Sequence, residues 1–510
     1  MSILLERRLL HTAGITPLCV ALLLPLAPSA LAAPAPVKNV ILMISDGASW
    51  GTWDLASYWE YGALGQQPYD SFPVKLGMTT YPLNTSTSPT NTGTPQISYD
   101  PDQAWSTSAP TNPANFFAGY EYIKQDYTDS AAAGTALATG VKTYNNAIDY
   151  DDFGQPVEFI SEIAKDLGKA VGVVSSVPVT HATPATFGAQ NINRNNYGEI
   201  GRQMLGPDSV LDLLMGGGNP LYDSNGVLRG TPRFANETGT GGGFIAESTW
   251  DALNDGSASW QLIQDKVEFD ELAAGTLALT GEPLVGLPKV YDTLQYNRTE
   301  AAQGTDAGNP SGVAYNPDVP TLATMTQGAM NYLGQDPDGL FLMVEGGAVD
   351  WAAHANNTGR IIEEQMDFNA SVSVVMDWVD DNSNWNETLL MVLTDHGNAM
   401  PMGPDSDTVP FQPIQGNGAR NLPGVRWHYG THTNENTLFF AIGARSALFT
   451  ERLAGNDPYL NSILDFNNGD YIDNATVFGV MRDAMVPVPG SLLLLGLGLP
   501  LLALRRRRAA

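Results

Sequence analysis

Four short apolar runs set the tightest limit on what this chain can become: residues 40–44, 170–174, 341–344 and 389–393. A strand with one wet face alternates apolar and polar side chains. A run without polar residues has to be covered on both faces, as inside a parallel sheet. Segments of helical periodicity separate the runs, among them 130–139, 157–167, 321–333 and 361–379. Strands alternating with helices predict an α/β fold, with a mostly parallel central sheet sandwiched by helices on both faces. With 510 residues, 43% of them hydrophobic, the chain can fill the core of one large domain or two medium ones. No repeat of fixed period is visible.

Two stretches interrupt this pattern. Residues 84–115 are rich in Ser, Thr, Asn and Pro and read as a surface insertion. Residues 216–245 hold two glycine triplets. Neither triplet is followed by the Lys-Ser/Thr of a phosphate-cradling loop, so a nucleotide site there is not expected. Both ends read as addresses. Residues 1–33 carry Arg7 and Arg8, an apolar stretch and small residues near Ala32, the layout of a secretory signal peptide. The apolar run 492–504 is shorter than the roughly 20 residues of a stable span, and four arginines follow it. The tail 487–510 is therefore expected to make transient membrane contact. The mature domain is expected over 34–486.

Acidic residues outnumber basic ones 54 to 25, for a net charge of -29. A surface that binds nucleic acid needs the opposite sign, so none is expected. The single cysteine, Cys19, falls in the expected signal peptide, which leaves the mature chain no disulfide and no thiol chemistry.

Chemistry gathers where the apolar runs stop. Residues 40–44 lead into Ser45-Asp46-Gly47, 341–344 into Glu345-Gly346-Gly347, and 389–393 into Thr394-Asp395-His396. In open α/β sheets ligands bind beyond the carboxyl ends of the strands. Each acid alone is also an ordinary turn residue. Three of them on one sheet edge would repel one another without cations between them. Asp350 and His354 are four residues apart, on one face of a helix, which suits a pair of zinc ligands and equally a surface pair. Only six histidines occur. His181, His354, His396 and His432 sit in these suspect segments, and His428 reads as structural or supporting. Ser130 opens a helix of small residues. That position suits a capping serine and also a nucleophile at the positive end of the helix, and the motif alone leaves both open.

The segments "ILMISDGAS", "YTDSAAAGTALATG", "THATPATFGAQNINRNNY", "MVEGGAVDWAAHANN", "TDHGN" and "YGTHTNEN" resemble those of alkaline phosphatases, in the same order, from about Lys38 to Met485. The tail is similar to bacterial PEP-CTERM sorting signals, with Pro487-Val488-Pro489 in place of Pro-Glu-Pro. The resemblance implies two zinc ions and one magnesium. Asp350, His354 and His432 would hold one zinc, and Asp46, Asp395 and His396 the second. Asp46, Thr183 and Glu345 would hold the magnesium. Ser130 would be the nucleophile of a phosphoserine mechanism on phosphate monoesters, with Arg194 gripping phosphate oxygens and Asp129 orienting Arg194. His181 and Trp351 stand where some bacterial members have Asp and Lys, which implies changed surroundings for the magnesium and for phosphate. The resemblance further implies a homodimer, a C-terminal sorting protease as partner, and export to the periplasm, cell surface or extracellular matrix. Phosphodiesterase activity in the same superfamily is one alternative. A non-catalytic metal-binding surface protein is the other.

Overall fold

The apolar runs become neighbouring strands in the computed structural model, which describes residues 36–486. The expected signal peptide and sorting segment lie outside the described residues. In chain order the first strands are β1 (Asn39–Ile44), β2 (Val74–Thr79), β3 (Ala170–Pro178), β4 (Leu213–Gly217), β5 (Gln261–Ile263), β6 (Leu284–Gly286), β7 (Leu340–Glu345) and β8 (Thr388–Leu393). Two ribbons follow, pairing β9 (Gly397–Asn398) with β12 (His432–Thr433) and β10 (Pro401–Met402) with β11 (Arg426–Trp427). Last come β13 (Thr437–Gly443), β14 (Gly455–Asn456) and β15 (Asp470–Asp473).

Eleven strands form one sheet in the order β14-β15-β2-β13-β8-β1-β7-β3-β4-β6-β5. Every neighbouring pair is parallel except those of β13 with β2 and β8, and of β14 with β15. The expected mostly parallel sheet, helices on both faces, is what the chain forms. Its centre explains the unbroken apolar runs. On β1, Ile41 and Met43 enter one core while Val40, Leu42 and Ile44 enter the other. β7 and β8 alternate in the same way, with Leu342 and Val392 on one side and Met343 and Met391 on the other. Helices Trp50–Tyr61, Leu322–Leu333 and Thr358–Asn382 cover the first face through Trp53, Met325 and Phe368. Helices Ser130–Thr139, Ile160–Asp166 and Ala475–Met485 cover the second through Leu137, Ile160 and Val480. All described residues belong to one compact unit. Among them no helix is long and apolar enough to cross a membrane.

Two local expectations are corrected. The helix expected over 157–167 starts only at Ile160. Val157 N–H donates to Asp149 O, and the Glu162 carboxylate caps Phe159 N–H, so the preceding residues are tied down as extended chain. The 84–115 stretch is not wholly superficial. Tyr99 and Trp105 are buried, Trp105 stacks on Trp50 at 4.5 Å, and both donate to the Asp457 carboxylate.

The long helix is pinned by a buried ion cluster. Glu363 Oε2 meets Arg298 at 2.9 Å and Arg360 at 3.2 Å, and the Arg298 and Glu363 side chains have no solvent exposure. Arg298 also donates to the carbonyls of Val313, Ala314 and Gln295. Removing the anion would leave two buried guanidinium groups without a counter-charge. Glu363→Ala is expected to cost about 3–5 kcal/mol in urea denaturation. A loss below about 1 kcal/mol would show that the carbonyls alone satisfy both arginines.

Candidate metal and phosphate site

Register brings the acidic strand ends together. β8, β1, β7 and β3 are adjacent and parallel, with Ile44 opposite both Leu393 and Glu345, and Ser175 opposite Glu345. Neighbouring strands lie about 4.8 Å apart, so residues just beyond aligned ends must crowd. Asp46, Glu345 and Asp395 are all fully buried there. Gly47 turns the chain after β1 at φ 68°. A side chain at that position would meet Asp350 Oδ1 at 2.6 Å, so glycine is what lets Asp350 approach.

Three imidazoles point into the same space. His432 Nδ1 lies 2.8 Å from Thr128 O, His354 Nδ1 3.1 Å from Gly430 O, and His396 Nδ1 3.3 Å from Gly397 O. A carbonyl can only accept, so each Nδ1 carries a proton and each Nε2 is turned inward. Those nitrogens face carboxylates. His432 Nε2 is 3.4 Å from Asp350 Oδ1, and His354 Nε2 is 3.3 Å from Asp350 Oδ2. His396 Nε2 is 3.1 Å from Asp395 Oδ2 and 3.6 Å from Asp46 Oδ1.

The charge states show the strain of this crowd. Burial, reinforced by Asp395, Asp350 and Glu345, drives Asp46 well above the usual carboxylate range. Burial lifts Glu345 to about 7 and Asp395 to about 6. Burial also opposes ionisation of Asp350, but hydrogen bonds to His354 and His432 outweigh it and hold Asp350 well below its ordinary value. His354 is resisted by burial yet raised to about 9 by Asp350. Burial pushes His396 well below the usual imidazole value, helped by His432. Asp46 Oδ1, Asp395 Oδ2 and Glu345 Oε1 are buried with no hydrogen-bond partner. Crowded carboxylates with orphaned buried oxygens, faced by imidazole nitrogens, fit bound cations. Two groups have ligand atoms close enough for one ion each: Asp46, Asp395 and His396, and Asp350, His396 and His432. His396 belongs to both, and His354 stands at the exposed edge of the second. Nitrogen with carboxylate suits zinc. Thr183 Oγ1, 3.5 Å from Asp46 Oδ2, adds to Asp46 and Glu345 an oxygen-only corner that suits magnesium.

Ser130 Oγ lies 3.2 Å from His396 Nε2, at the first turn of the helix Ser130–Thr139. The capping reading of this serine is not what the structure shows. Asp129 is the cap, its Oδ1 accepting from Ala132 N. Its Oδ2 accepts from Asn146 N and pairs with Arg194 at 3.1 Å. Arg194 Nη2 is 3.5 Å from His181 Nε2, and His181 meets the Trp351 ring edge-on at 5.7 Å. Burial and Arg194 push His181 down to about 3, which keeps it neutral. A cavity of about 470 Å³ opens here, lined by His181, Arg194, Tyr296, Asp350, Trp351 and His354. A larger cavity of about 670 Å³, near Glu162 and Arg202, contains none of the candidate residues, so size alone does not locate the chemistry. His428 lies apart, buried against Ser406 Oγ at 2.7 Å, in keeping with a structural role.

Sequence reasoning missed Tyr296, Ser175 and Asn398. Ser175 donates to Glu345 Oε2, and Asn398 Nδ2 donates to Asp350 Oδ1 at 2.6 Å. The Ser175-Ser176 pair inside an apolar strand was a readable signal for the first. Asn398 closes the quoted segment "TDHGN", and nothing local marks Tyr296.

The sequence model described as alkaline phosphatase matches residues 118–412. The chain is 30% identical over 390 residues to alkaline phosphatase H of Pseudomonas aeruginosa, covering 73% of this chain and 72% of that protein. It is 32% identical over 277 residues to alkaline phosphatase 3 of Bacillus subtilis, covering 54% of this chain and only half of that relative's length. Its fold is similar to a cold-active alkaline phosphatase from a Shewanella species, with TM-score 0.58 and 20% identity over 88% of this chain and all of that one. The chain belongs to the alkaline phosphatase family.

The raised carboxylates make metal-free stability depend on pH. Between the usual carboxylate value and about 7, folded Glu345 keeps a proton that the unfolded chain has lost, so stability falls as pH rises through that window. Asp395 and Asp46 act in the same sense. Asp350, held low, acts oppositely, and its contribution is lost only in acid, as pH falls through its depressed value. His396 and His181, held low, oppose this only below the usual imidazole value, while His354, raised to about 9, adds to it above that value, so chelator-treated protein is expected to denature more readily near pH 8 than near pH 6.5. Added zinc and magnesium should narrow the gap. Denaturation midpoints with and without metal test this, and a gap that metal leaves unchanged would contradict it.

Proposed function

We propose that this protein is a metal-dependent phosphomonoesterase that forms a phosphoserine on Ser130. The observation that carries the reading is the Ser130 hydroxyl, buried at a helix N-terminus, beside His396 and next in the chain to Asp129, which holds the Arg194 guanidinium. Asp350, His354 and His432 would hold one zinc, Asp46, Asp395 and His396 a second, and Asp46, Thr183 and Glu345 a magnesium. Bound there, such ions neutralise the ester dianion and favour the ionised forms of attacking and leaving oxygens.

The chain's own residues supply the rest. Arg194 offers two parallel N–H groups to phosphate oxygens, and Asp129 holds it in place from the helix cap. The positive end of the helix Ser130–Thr139 adds to that field. Ser130 Oγ attacks phosphorus in line, a serine–phosphate bond forms, and the ester bond breaks, releasing the alcohol. Water then attacks the phosphoserine from the vacated side, freeing Ser130 and inorganic phosphate. Two inversions leave the configuration at phosphorus retained. His181, kept neutral, stays beside Arg194 without competing for phosphate charge. Trp351 and Tyr296 form the apolar part of the wall. Our reading of residues 1–33 and 487–510 as export and sorting segments places this activity outside the cytoplasm.

Ser130→Ala, with metal content unchanged, is expected to lower kcat on an aryl phosphate monoester by at least about 1,000-fold. Turnover within tenfold of wild type would refute the nucleophile assignment. The wild-type enzyme should prefer that monoester to the matching diester and sulfate ester, and a diester preference would favour the phosphodiesterase reading.

A further inference from the structure

Behind the acidic centre lies a buried glutamate that the mechanism does not use. Glu435 is 1% exposed. Its Oε2 accepts from Thr433 Oγ1 at 2.9 Å and lies 3.2 Å from Ser49 Oγ, and its Oε1 accepts from Trp50 N at 3.2 Å. These donors are all neutral. Trp50 opens the 12-residue helix Trp50–Tyr61, whose own cap residue, Ser49, makes no side-chain capping bond. Glu435 therefore supplies from afar, through Oε1, the side-chain acceptor that this helix N-terminus lacks locally.

The Ser49 hydroxyl holds Asn398. Ser49 Oγ accepts from Asn398 N at 2.9 Å, and its single proton is shared between Asn398 O at 2.8 Å and Glu435 Oε2 at 3.2 Å. Asn398 Nδ2 in turn donates to Asp350 Oδ1 at 2.6 Å, the oxygen that faces His432. Glu435 also presses on the strand that follows His396. A Cβ on Gly397 would lie 2.4 Å from Glu435 Cδ, so only glycine admits the carboxylate there. The ribbon pairs His432 with Asn398 and Thr433 with Gly397.

We propose that Glu435 is a positioning residue for the metal centre: through Ser49 it fixes Asn398, whose amide sets the rotation of the Asp350 carboxylate toward His354 and His432. The inference rests on the reading of Asp350 as a metal ligand. A carboxylate free to turn offers its oxygens in several orientations, and a donor locked onto one oxygen leaves a single one. Outer hydrogen bonds of this kind govern metal affinity. Glutamate suits the post because only donors converge on it. Glutamine would set an amide nitrogen against one of them.

The test is zinc titration of metal-free protein against a competing chelator, alongside melting of the metal-free forms. Glu435→Gln and Asn398→Ala are each expected to weaken zinc binding about tenfold or more. The double variant should lose no more than the worse single one, since both cut one path. The metal-free melting temperature of Asn398→Ala should stay near that of wild type, since the amide it removes serves Asp350 alone. If Glu435→Gln does not fold, Ser49→Ala cuts the same path and is expected to weaken zinc binding equally. Zinc affinity within twofold of wild type, losses that multiply in the double variant, or a loss matched by metal-free unfolding would overturn the proposal. Wild-type protein that binds no zinc would sink the metal reading itself, a result distinguishable from all of these.

Discussion

Like charges buried at one sheet edge are the constraint on which the rest of this structure depends. Asp46, Glu345 and Asp395 emerge from adjacent parallel strands whose register leaves them no room to separate. Placing such groups out of water costs several kcal/mol each, and their mutual repulsion grows as the local dielectric falls. A chain of this kind tolerates the arrangement because two full cores, one on each face of the sheet, hold the strands in place. Cations turn the same arrangement from a liability into a tight site.

Main-chain hydrogen bonds do the aiming. Three histidines from different segments give up Nδ1 to carbonyl oxygens of Thr128, Gly430 and Gly397, and so turn Nε2 inward. Carbonyls belong to a backbone that the fold has already placed, so these rings cannot drift with side-chain motion. Asp129 shows similar economy. One oxygen caps the helix that Ser130 opens and the other holds Arg194, which ties the position of Arg194 to that of Ser130.

On the proposed function, the surface works against the substrate. With a net charge of -29, the protein's far field would repel a phosphate ester rather than steer it. Attraction would have to come from within the cavity, where Arg194, the helix terminus and the proposed cations would act at short range with little screening. Capture in such a site depends on local geometry more than on the charge of the whole.

Much of this could be read along the chain. Unbroken apolar runs implied strands covered on both faces, and their acidic ends implied a cation site, because both inferences depend on residue type and local order. Spacing and helix position already singled out Asp350, His354, His432 and Ser130; the resemblance added Thr183 and Arg194. Other features had no local signature. Ser130 meets His396 across 266 residues, and Asn398 reaches Asp350 across 48. Which residue caps the nucleophile's helix, which imidazole nitrogen faces inward and why a glutamate lies behind the site depend on strand register and on partners distant in sequence. The sequence by itself determined which groups were on hand and which strand ends would carry them. Only the tertiary structure decided their orientation, because hydrogen bonds are directional and their partners are set by packing rather than by neighbours along the chain.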